Sequence, residues 1–105
     1  MSTMFDRVRD LIRRDEWRAS DHAAQRLIDN DIIAADLLDA IDNSEVIEDY
    51  PDYHAGPCIL VLQYDRGGPV HALWGLAAGT DRPAVLVTIY RPDPNRWHTD
   101  NRTRR

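Results

Sequence analysis

Met4, Phe5, Val8, Leu11 and Ile12 recur at the spacing of one helical face, which predicts an amphipathic helix from Thr3 to about Arg14 with Ser2 or Thr3 as its cap. Trp17 and Ala19 then alternate with polar neighbours, too briefly to separate a strand from a connection. Ser20 or Asp21 can cap a second helix whose stripe is Ala23, Ala24, Leu27 and Ile28. Asn30, taken as a left-handed closing residue, and Asp31, as the next cap, lead into a third helix faced by Ile33, Leu37, Leu38 and Ile41.

After Ser44 the period changes from helical to alternating. Val46 and Ile47 begin a strand that ends at a Tyr-Pro step, and Cys58 to Tyr64 is a β-branched, apolar run. Asp65 to Gly68 reads as its turn. Val70, Ala72, Trp74 and Leu76 alternate against His71, Leu73 and Gly75, and Ala84 to Tyr90 is a further strand between Pro83 and Pro92. Helices first and an antiparallel meander of about four strands after them predict one α+β domain over residues 1–105, with the helices on one sheet face. Pro92 and Pro94 hold the chain extended or turned until a short helix restarts at Trp97; residues 92–105 form an arginine-rich tail that lies over the sheet or moves freely.

Composition narrows the chemistry. With 105 residues there is room for one core and one site, and 43% hydrophobic with 30% charged residues is a globular balance. The longest apolar run is far too short to span a bilayer, and the charged first fifteen residues do not read as a secretory signal, so a cytoplasmic protein is expected. A lone Cys58 excludes an internal disulfide and multi-cysteine zinc sites, and is expected to be a buried, inert thiol. All thirteen basic residues are arginine, which removes lysine chemistry and leaves guanidinium or imidazole as the only cations. The net charge of −5 is unevenly spread: nine acidic and no basic residues lie between Leu27 and Tyr53, whereas five arginines face two aspartates from Arg91 onward.

Several side chains could carry chemistry. His22 and Arg26 stand four apart on one helix and can converge on an anion, although such a pair is as readily a helix-start histidine beside a surface ion pair. His71 faces away from Trp74 and gains a catalytic meaning only if His22 lies near it; otherwise it is a satisfied buried imidazole. Tyr90 can orient or protonate a phosphate oxygen, or simply pack at the core edge. Trp97 with Arg96, Arg102, Arg104 and Arg105 has the mixture of ring and cations that grips single-stranded nucleic acid, and equally that of a tail docked on its own acidic surface. No metal-ligand spacing and no phosphate-binding glycine loop is present, so no metal or cofactor is expected.

Ser20-Asp21-His22-Ala23 followed by Arg26, the acidic segment from Glu45 to Pro51, His71 in the next-to-last strand and the ending Thr88-Ile89-Tyr90-Arg91-Pro92-Asp93-Pro94-Asn95-Arg96-Trp97 together resemble the bacterial domain-of-unknown-function family 4258. The resemblance runs from Trp17 to near the end of the chain, and that family is grouped with the RelE/ParE-like toxins. It implies a helix pair followed by an antiparallel sheet. It also implies a metal-independent endoribonuclease, neutralised by a cognate antitoxin, in which His22, Arg26, His71 and Tyr90 line the functional face and Arg91 and the terminal arginines contact RNA phosphate. Two features depart from the nuclease toxins, the net acidity and the absence of lysine. They favour a competing expectation, a non-catalytic protein-interaction domain, with a histidine-dependent metallohydrolase as a third.

Overall fold

The computed structural model describes residues 3–105. Three α-helices come first, α1 (Thr3–Arg13), α2 (Asp21–Asp29) and α3 (Ala34–Asp39), with a short strand β1 (Trp17–Ala19) between the first two. The strands β2 (Glu45–Tyr50), β3 (Cys58–Asp65), β4 (Gly68–Gly75) and β5 (Ala84–Tyr90) follow. The sheet has five strands in the order β1-β5-β4-β3-β2, which corrects the expected count of about four. It is mixed, because β1 runs parallel to β5 while every other pair is antiparallel. A three-residue segment carries too little periodicity to announce itself. Its place is secured at long range, by the Ser20 amide on Leu86 O at 3.0 Å and by Trp17 set edge-on against Trp74 at 6.2 Å.

Local chemistry explains where most elements begin and end. Ser20 Oγ accepts the Ala23 amide at 3.0 Å, the N-cap of α2 expected from its residue type. At the other end the expectation fails: Asn30 has φ −99°, and the positive φ of 54° belongs to Asp31, so α3 starts only at Ala34 with no side-chain cap. The β3–β4 hairpin turns where expected, with Gly68 at φ 115° and the Gly67 amide held by Asp65 Oδ1 at 2.8 Å. No helix forms at Trp97. The segment is instead a turn followed by a small hairpin in which Trp97 bridges Arg104. The proposed cap Ser2 lies outside the described residues.

Strand alternation divides the sheet into two faces. The first carries Ile59, Val61, Val70, Ala72, Trp74, Leu86 and Ile89, packed against Val8, Leu11 and Ile12 of α1, Ala23 of α2 and Leu37 of α3. Ala24, Ile28 and Ile33 do not join it; Ile28 is 73% and Ile33 53% exposed, and Ile32 takes the buried place. The second face carries Leu60, Leu62, Cys58 and His71, all buried. The C-terminal hairpin covers that face at His71 and along β2, where it meets Glu45 and Glu48. Among the described residues no helix is long and apolar enough to cross a membrane.

Candidate functional site

Pairing of β4 with β5 sets His71 directly opposite Tyr90 on the second sheet face. A register shift on β5 lets both Leu86 and Ile89 enter the core, and it leaves Thr88 and Tyr90 together on the opposite face. His22, in the first turn of α2, reaches that side and its Nε2 lies 3.0 Å from Thr88 Oγ1. Arg26 follows one turn later, exposed, with no hydrogen bond to its guanidinium among the described residues. His22 and Tyr90 therefore belong to one side of the molecule, held at neighbouring outward positions of β5.

His71 is 0% exposed and fully bonded. Its Nε2 lies 2.7 Å from Asn101 O and its Nδ1 3.2 Å from the Tyr90 hydroxyl. A carbonyl can only accept, so Nε2 carries the proton and Nδ1 accepts from Tyr90 O–H. Burial drives the His71 pKa down, against a smaller upward push from the Asn101 carbonyl and Glu48, and the neutral ring is favoured. Burial also raises the Tyr90 pKa, so the phenol keeps its proton. Trp97, 2% exposed, closes the pair with its ring edge-on to His71 at 4.4 Å.

The arginines fall into three groups. Arg91 donates through both terminal nitrogens to Asp65, at 2.9 and 3.0 Å, and this pair locks the end of β5 to the β3–β4 turn. A Cβ on Gly67 would sit 2.5 Å from the Arg91 guanidinium, so a side chain there would push the end of Arg91 from its present position. Arg102 donates to Glu45 at 2.7 Å, and Arg104 to both oxygens of Glu48 at 2.7 and 2.9 Å. These contacts hold the Glu45 and Glu48 carboxyls below their ordinary range. Arg104 also lies over the Trp97 ring, 4.5 Å from its centroid. Arg105 is spent on the carbonyls of Pro94 and Trp97. Arg96 is exposed, and among the described residues its guanidinium has no partner.

Tyr90, Arg91, Arg96, Trp97 and Arg104, together with Asp93, enclose a recess of about 310 Å³. Its lining brings three arginines and a phenol beside one carboxylate; Arg91 and Arg104 are already paired with Asp65 and Glu48, which leaves Arg96 as the uncommitted cation of the recess. A larger hollow of about 570 Å³ between Thr3, Asp49 and Asp81 contains none of the candidate residues. Cys58 is buried as expected, and burial raises its pKa. Among the described residues no three His, Cys, Asp or Glu side chains stand together as metal ligands.

The candidate residues are therefore partly assembled. His71, Tyr90, Trp97, Arg91, Arg96 and Arg104 converge; His22 is tied to Thr88, two residues from Tyr90 along β5, and neither it nor Arg26 lines the recess; Arg102 and Arg105 serve the tail hairpin. Sequence reasoning missed Asn101, Glu45 and Glu48, the partners that fix His71 and the tail. Only the run of carboxylates in β2 hinted at the last two. The sequence model of the family described as Domain of unknown function (DUF4258) matches residues 19–91, a span that includes His22, His71, Tyr90 and Arg91 but stops short of the tail. No curated protein and no solved structure matches the chain.

Proposed function

The chain belongs to the family of that domain of unknown function, and from this premise we propose that it is a RelE-like, toxin-type endoribonuclease that acts on RNA without a metal and is neutralised by a cognate antitoxin. One observation carries the reading: a phenol already bonded to an imidazole opens onto a recess ringed by guanidiniums. An RNA phosphate seated there would face Arg96 and Arg104, whose charges oppose the excess negative charge of a pentacoordinate phosphorane. Tyr90 takes the proton of the 2′-hydroxyl as it passes its own to His71 Nδ1, and the attacking oxygen bonds to phosphorus while the 5′-oxygen leaves. In this reading His22 is the group that protonates the leaving oxygen.

A second reading has its own support. His71 is sealed and Arg102 and Arg104 are already paired, as they would be in a non-catalytic interaction domain. The two readings part in a single assay. Purified protein is incubated with single-stranded and ribosome-bound RNA, with and without chelator, beside His22→Ala and Tyr90→Phe. Cleavage that survives chelator and falls by roughly 100-fold or more in Tyr90→Phe is the expected result, since positioned proton transfer contributes about that much. Tight binding of a protein partner with no cleavage under any condition selects the interaction domain.

A further inference from the structure

On the second sheet face residues 96–105 form a separately organised piece that lies over His71 and against β2. Their backbone closes on itself, with the Arg105 amide on Arg96 O at 2.8 Å and the His98 amide on Thr103 O at 2.8 Å around Asn101 at φ 60°. Asp100 ties the turn by accepting the amides of Arg102 and Thr103. The hairpin meets the sheet through the Trp97 ring, the Asn101 carbonyl on His71, the pairs Arg102–Glu45 and Arg104–Glu48, and Arg104 with Tyr50 of β2.

Those pairs are of the exchangeable kind. The Arg102 and Glu45 side chains are 46% and 51% exposed, so water and salt compete for that pair; in the other, Arg104 is 56% exposed while Glu48 is 21% exposed, and the competition acts at the arginine end. The Arg91–Asp65 clamp differs, with side chains only 27% and 10% exposed, and it fixes the near end of the connection. Between clamp and hairpin lie Pro92 and Pro94, each without a backbone donor, in a stretch that belongs to no strand. The arrangement is a fixed base, a short connection and a charge-held flap over His71.

We propose that the C-terminal hairpin is a strap that a polyanion unlatches: phosphate groups draw Arg102 and Arg104 away from Glu45 and Glu48, Trp97 leaves the sheet, and His71, sealed in the closed form, becomes open to the ligand beside Tyr90. The identity of the polyanion as RNA rests on the function proposed above; the latch does not. Binding and opening are linked, since the open form offers two more free guanidiniums than the closed one and a polyphosphate ligand favours it.

The test reads His71 directly. The full chain is treated with diethyl pyrocarbonate and modification is quantified on the peptide containing His71, with exposed His54 as the reactive internal control. Wild type should be protected, and protection should fall roughly tenfold on adding a single-stranded RNA oligonucleotide or heparin, as for a site reached only by local opening. Arg102→Glu/Arg104→Glu should expose His71 without ligand, and adding Glu45→Arg/Glu48→Arg should restore protection by swapping the charges. That restoration separates a lost latch from a lost fold. Opening by heparin but not RNA keeps the strap and removes the RNA reading. Unchanged protection of His71 with every polyanion, or in the charge-reversed chain, overturns the strap.

Discussion

His71 shows how a single side chain can be buried without being inert. Its two nitrogens have different partners, a carbonyl and a phenol, and the carbonyl decides the tautomer. The surrounding groups are Tyr90 on β5, Glu48 on β2 and Trp97, Asn101 and Arg104 on the hairpin, and burial outweighs the nearby Glu48 charge in lowering the pKa. The unfolded chain therefore binds a proton more readily than the folded one between the depressed folded value and the ordinary 6.5. Stability should be full above that window and fall as the pH drops through it. Thermal melts of wild type and His71→Leu across pH 5 to 7 check this, a range chosen to bracket the usual histidine pKa near 6.5; the variant should lose the slope, and an equal slope in both would place its origin elsewhere.

Elements were legible where local chemistry settles them and obscure where distant contacts do. Ser20 as a cap, the Asp65–Gly68 turn and the alternation of β4 follow from residue type and period, and each appears in the fold. The parallel pairing of β1 with β5 could not, because three residues carry no pattern and the partner strand lies at the far end of the chain. The exposed Ile28 and Ile33 misled the stripe for a related reason: a helix of nine residues and one of six turn only a narrow face to the core. At Trp97 the sequence pattern suggests the start of a helix, whereas burial of the ring on His71 and the bridge to Arg104 hold a hairpin. The Arg91–Asp65 clamp joins two such elements, and Arg91→Ala should destabilise the domain by about 2 kcal/mol, typical of charged hydrogen bonds. A shift of the urea midpoint with unchanged slope is the expected readout; no shift would make the clamp dispensable.

For the whole molecule, charge asymmetry matters more than net charge. Acidic β2 and the arginine tail were visible as blocks in the sequence, but their mutual neutralisation depends on a fold that lays the C-terminus across the second face. Of the candidate site, the residue types were legible and their convergence was half legible: His71 and Tyr90 meet as adjacent strand partners, while His22 comes near only through Thr88. Arg96 is the cation that faces the recess with no structural duty, so its replacement probes ligand binding with little effect on the fold. The most direct test is the affinity of wild type and Arg96→Gln for single-stranded RNA across a salt series. Loss of affinity with a slope of log K against log salt shallower by roughly 0.7, the value for one phosphate contact on a single strand, is the predicted result. Equal affinity and equal slope in the two proteins would contradict the recess as an RNA phosphate site.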